Sequence, residues 1–193
     1  MLRRLKITAA PLALLLAISA QSVVAGQDAG SQPVEMLGMR SHVPAGWVAE
    51  APQSNMRVAQ FSVPAAGEGD GAAFVVYYFG PGQGGSLEAN LERWQSQFSS
   101  ADGGPVEPDI TELSGALPAT LVSLRGSYAR GVGVGPAGDA LPDRMLLAGV
   151  VETPKGNLYP QLHGPAALVA AQQPAFVAFI EGLEAVPSSA VDD

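Results

Sequence analysis

The chain has no cysteine in its 193 residues. Disulfides, a lipid-modified N-terminal cysteine and a thiol nucleophile are all excluded by that absence. Histidine is nearly as scarce: His42 and His163 are the only two, and they stand in different segments. Metal centres draw on clustered His, Cys and carboxylate side chains, so no metal ligand set is expected. Glu68 and Asp70 share a Gly-rich stretch that hints at calcium, but the alternating acidic ligands and terminal Glu of an EF-hand are missing. A solvated loop is the reading for that stretch. No G-x-S-x-G elbow is present. No catalytic residue is therefore assigned, and the chain is read as a non-enzyme; a hydrolase with a spatially assembled site stands last among the alternatives.

Basic residues are also few. The chain has 10 Lys and Arg against 18 Asp and Glu, and three of the ten, Arg3, Arg4 and Lys6, fall in the first six positions. They precede an uncharged apolar run from Leu12 to Ile18, and Val23-Val24-Ala25 then places small residues before Gly26. That order is the signature of a cleavable secretory signal. The apolar part is shorter than the ~20 residues of a bilayer span. Residues 1–25 are thus expected to be a signal peptide, leaving no stable membrane anchor. Beyond it, seven basic residues face 18 acidic ones, a formal charge of −11. Such a surface disfavours nucleic acid and anionic membranes. No asparagine opens an Asn-x-Ser/Thr sequon, and Arg outnumbers Lys eight to two. A periplasmic or secreted bacterial protein fits these features.

What is present is a series of short apolar runs cut by Gly and Pro. Residues 26–33 read as a flexible tail, 34–185 as one domain and 186–193 as a second tail. Strands are expected at Val34–Met39, Trp47–Ala49 and Met56–Val63, the last with Gln60 breaking its alternation. Ala72–Phe79 is β-branched and aromatic throughout, so it is expected at the centre of a sheet, covered on both faces. A helix follows, capped by Ser86, with Leu87, Leu91, Trp94 and Phe98 on one face. Further strands are expected at Ile110–Leu113 and Thr120–Tyr128. After a Gly-rich loop from Gly131 to Asp143, Met145–Glu152 and Leu158–Leu162 read as a hairpin. The chain closes in two helical pieces, one opened by Pro165 and one by Pro174. Strands outnumber helices without β-α-β-α alternation, which argues an α+β fold: a mostly antiparallel sheet flanked by helices.

Two features could carry chemistry. Gly80-Pro81-Gly82-Gln83-Gly84-Gly85 matches G-x-G-x-x-G between a strand and a helix, as a dinucleotide loop does. The partner strand ending in an acidic residue, about 20 residues on, is missing: that region reads SSADGGPVEPD. A strand-to-helix turn is the better reading, and no cofactor is expected. The second feature is a polar stripe on the first helix. Asn90, Arg93 and Gln97 recur at i, i+3 and i+7, and Arg57 offers a second planar guanidinium suited to carboxylate or phosphate. These four residues are the candidate binding stripe, with anchoring of the helix as the competing reading.

Two segments, GWVAEAPQSNMRVAQFSVP and YFGPGQGGSLEANLERWQSQF, resemble uncharacterised exported bacterial proteins that carry W…P…S-x-M-R-x-A-x-F and F-G-x-G-x-G-G with N-x-x-R-W-x-x-Q-F. The element order is similar to the PsbP-like α+β sandwich. That resemblance implies an adaptor, since a photosystem subunit and a small-GTPase-binding protein share the fold. It supplies no binding residue for this chain. The leading expectation is a non-catalytic exported module that binds an envelope protein or assists an assembly. The alternative is a domain that binds a small molecule through an anionic group.

Overall fold

A computed structural model describes residues 30–129 and 140–186. The expected signal peptide, most of the second Gly-rich loop and the last seven residues lie outside these. No described helix is long and apolar enough to cross a membrane.

The domain begins with a hairpin where one strand was expected. β1 (Ser31–Met36) and β2 (Met39–Pro44) pair antiparallel across Leu37-Gly38. Both turn residues have positive φ, 53° and 75°. Two-residue hairpin turns that match strand twist need that conformation, and a leucine in it disguises the turn in the sequence. The expected tail over 26–33 is corrected by the same hairpin, because Ser31, Gln32 and Pro33 are paired in β1. Gln32 also donates its amide to the carbonyls of Pro44 and Trp47.

The main sheet holds eight strands, and every pairing in it is antiparallel. β3 (Val48–Ala49), β4 (Arg57–Val63) and β5 (Ala72–Tyr78) lead from one edge to the middle. α1 (Leu87–Gln95) and β6 (Phe98–Ser99) follow, then β7 (Asp109–Ser114), β8 (Pro118–Tyr128), β9 (Leu141–Val151) and β10 (Leu158–Pro165). The order in space is β3-β4-β5-β10-β9-β8-β6, with β7 also on β8. The expected β9–β10 hairpin is present, although β9 starts four residues before Met145.

α2 (Ala166–Glu181) is one helix, not two, and carries Pro174 inside it. An interior proline removes one hydrogen bond and costs about 3 kcal/mol. The helix survives because one apolar face runs its whole length: Ala166, Val169, Phe176, Phe179 and Ile180 are all buried. Pro174 and Ala170, whose carbonyl loses its donor, sit on the exposed side. β11 (Glu184–Ala185) then joins β2, making a small sheet β1-β2-β11. Val186 donates to the Gly38 carbonyl, so this residue of the expected tail is tied to the fold.

α2 thus lies between the small sheet and one face of the main sheet, sealing a core of Val43, Phe74, Leu147, Leu162 and Phe176. α1 lies on the other face over a second cluster that includes Trp94, Phe98, Leu124 and Tyr159. The result is an α+β fold, a mostly antiparallel sheet with helices. α1 is much shorter than α2, so part of the second face is left open.

Candidate functional site

The open part of that face is a cleft of about 350 Å³. Alternation along the central strands builds its floor. Phe74 and Val76 of β5 point to α2, so Ala73, Val75 and Tyr77 point the other way. β10 contributes Gln161 and His163 by the same alternation, and β9 contributes Leu146. The expectation that 72–79 is covered on both faces therefore holds on the α2 side only: Ala73 is exposed and Tyr77 half-buried.

β4 supplies the polar wall through a bulge. Ala59 pairs with Val76 and Arg57 with Tyr77, so Val58 is the extra residue. A bulge re-aims the side chains before it. Ala59, Phe61 and Val63 face the α2 core, while Gln60 and Arg57 both line the cleft. The break that Gln60 makes in the apolar alternation is this change of phase. Arg57 donates to the amide oxygens of Gln53 at 3.0 Å and Gln60 at 2.8 Å. Gln60 in turn donates to Glu50 at 2.7 Å. The Arg57 guanidinium also lies 5.6 Å from the centre of the Tyr77 ring.

Gln97, Tyr128 and His163 form the opposite wall. The His163 ring lies 4.1 Å from that of Tyr128, centre to centre. Burial lowers its pKa from 6.5 to about 4, helped by the positive charge of Arg144. It is neutral at pH 7. Its Nε2 is buried and has no hydrogen-bond partner among the described residues. Buried polar atoms are normally satisfied, which singles this one out.

The four residues of the expected stripe separate. Gln97 lies beyond the end of α1 and enters the cleft with Arg57. Asn90 is buried, and its amide donates to the carbonyls of Gly84 and Ser86, both at 2.9 Å. Arg93 is exposed and donates to Asn90 at 3.1 Å, outside the cleft. Asn90 is an anchor rather than a ligand-binding group, because both of its amide donors are used by the chain itself. The helix spacing was right, but the helix ends at Gln95, and with it the stripe. Glu50, Gln60, Gln161 and His163 were missed. The alternation of β4 and β10 was a signal for the last three, since it places a polar face opposite the apolar one.

The Gly-rich loop from Gly80 to Gly85 is held from inside the fold. Tyr159 Oη contacts the Gln83 and Gly85 carbonyls at 3.3 Å, and Asn90 takes that of Gly84. Gly84 has φ 98°, and a Cβ there would collide with the Tyr159 ring. β5, which leads into the loop, is antiparallel to both its neighbours, so it opens no β-α-β unit. Ser86 caps α1 as expected, its Oγ accepting from Ala89 N–H at 3.2 Å. In the other candidate loop, Asp70 pairs with Arg144 at 2.6 Å. Among the described residues no group of three or more His, Asp or Glu is placed to hold a metal.

Other hollows are larger and poorer in chemistry. One of about 530 Å³ between β2 and α2 is lined mainly by Val43, Pro44, Pro174 and alanines, with His42 at its margin. The cleft over β4, β5 and β10 has the converging polar groups that mark a binding site.

No protein-family model matches the chain. No curated protein matches it. Two solved structures are similar in chain path. PA94 of Pseudomonas aeruginosa, a protein of unknown function, is 19% identical with a TM-score of 0.45, over 82% of this chain and 99% of that one. The Ran-binding protein Mog1p of Saccharomyces cerevisiae is 10% identical with a TM-score of 0.48, over 82% and 97%. Neither lends this chain a residue role or an activity.

Proposed function

We propose that this is an exported, non-catalytic binding module of PsbP-like architecture, and that it takes a small polar molecule into the cleft between Arg57 and His163. The observation that carries the reading is the convergence of four glutamines, two tyrosines and His163 on one cleft. The non-catalytic part rests on chemistry. His163, with a pKa near 4, is a weak base at neutral pH, and the carboxylate in the cleft, Glu50, accepts from Gln60. A base–orienter pair needs those two groups to meet. Of the two expectations drawn from the sequence, the small-molecule reading gains most from this geometry.

Native mass spectrometry of the protein recovered from its own cells tests it. A reproducible small-molecule adduct on the monomer, lost on replacing Gln161 with Leu, is the expected result. A stoichiometric protein partner with no small-molecule mass would overturn it in favour of an envelope adaptor. β7 is the surface such a partner would use, since five of its six residues are exposed and β8 is its one paired strand among the described residues.

A further inference from the structure

The cleft lining also narrows the class of molecule, an argument that rests on the cleft being the binding site. Charge comes first. Arg57 and Glu50 are the two formally charged residues on the lining, and one amide, Gln60, bridges them. His163 adds no charge at neutral pH. The lining is therefore electrically neutral. An anion would meet Glu50 on the same wall as the guanidinium, two of whose five N–H groups already go to amide oxygens. A cation would meet Arg57.

Hydrogen-bonding capacity comes second. Gln97 and Gln161 each offer donor and acceptor ends, as does the phenol of Tyr77. Groups that both donate and accept match hydroxyls, which do the same. A peptide is a poorer match. Its backbone needs a strand edge, and the two strands under the cleft, β5 and β10, are each paired on both sides.

Shape comes third. Ala73, Val75 and Leu146 make an apolar floor under this polar rim. A pyranose ring has the same division, with C–H groups on its faces and hydroxyls around its edge. The volume, about 350 Å³, falls near the lower end of small-molecule sites and suits one or two rings.

We infer that the cleft binds a neutral saccharide, seated face-down on Val75 and Leu146 with its hydroxyls held by Gln97 and Gln161. The test is an NMR titration of the nitrogen-15-labelled protein, reading the side-chain amides of Gln60, Gln97 and Gln161 and the ring nitrogens of His163. The probes are glucose, N-acetylglucosamine and their β-1,4-linked disaccharides, with phosphate, citrate and a blocked dipeptide as competitors. Saturable shifts from at least one saccharide are expected, with Kd raised tenfold or more by Gln161→Leu and, separately, by Gln97→Leu. Unchanged unfolding midpoints would show that the variants are folded. Shifts from phosphate, citrate or dipeptide, with none from the saccharides, would overturn the saccharide class and leave the cleft as the site. Silence of all four residues towards every probe and towards a mixed metabolite extract would overturn both.

Discussion

The two faces of the main sheet use the same strands and opposite chemistry. On the α2 side Phe74 of β5 is fully buried, and its ring meets those of Trp47 and Phe179 at 4.9 Å and Phe176 at 6.0 Å. Val76, Leu147 and Leu162 fill the rest without a gap to solvent. One residue along each strand, on the other face, stand Tyr77, Gln161 and His163, none of them fully covered. Alternation lets a strand pack on one side and leave a polar surface on the other. The comparison teaches that a packed core and an open polar surface are separable here at the level of neighbouring residues.

The sharpest way to break that separation is to cut each face in turn. Phe74→Ala removes the hub of the aromatic cluster and is expected to cost about 3–5 kcal/mol, read from urea unfolding. Gln161→Leu on the opposite face of the sheet is expected to change stability by less than about 1 kcal/mol, because its half-exposed side chain makes none of those contacts. Equal costs would show that the open face is structural after all.

His163 gives the open face its own pH signature. Its pKa is lowered by burial, from 6.5 in the unfolded chain to about 4 in the fold. Between those values the unfolded chain binds the extra proton, so stability is full above about pH 6.5 and falls as pH drops towards 4. The expected loss from this group is about 3 kcal/mol at pH 4 relative to pH 7. His163→Phe keeps the ring against Tyr128 and should remove that part of the slope. Stability curves of the two proteins that stay parallel from pH 7 to 4 would contradict the burial of this ring.

Asn90 marks the join between the open face and the Gly-rich loop. Asn90→Ala leaves the Gly84 and Ser86 carbonyls without their side-chain donor. A loss of about 1–3 kcal/mol is expected. Hydrogen exchange should quicken at the first turn of α1 and not on β5. An unchanged exchange pattern would mean that Tyr159 alone holds the loop.

Most of the fold was legible in the sequence because burial imposes periods on it. The α1 cap, the central β5, the β9–β10 hairpin and the α+β class all follow from alternation or helical spacing. The departures have local causes. A leucine in a positive-φ turn joined two strands into one apparent run, and the continuous buried face of α2 outweighed Pro174. The site was legible only in part. Arg57 and Gln97 were found, the alternation of β10 held an unused signal for Gln161 and His163, and Glu50 enters through loop packing that no spacing rule reaches. A helical period also grouped Asn90 and Arg93 with them, because the period persists on paper past the residue where α1 stops.

Arg57 and Arg93 make the smallest and most discriminating contrast. Both are arginines bonded to side-chain amide oxygens, and both were candidates on the same grounds. Arg57 holds two glutamines and lies against Tyr77, so Arg57→Ala frees one wall of the cleft. Arg93 makes one bond at the surface, and Asn90 keeps its two backbone acceptors without it. Arg93→Ala should change stability by no more than about 0.5 kcal/mol. It should also leave the affinity of the cleft within twofold, measured by the same amide titration, while Arg57→Ala weakens binding severalfold. If Arg93→Ala weakened binding as much as Arg57→Ala, the binding surface would extend along α1, and the cleft over β4, β5 and β10 would be only part of the site.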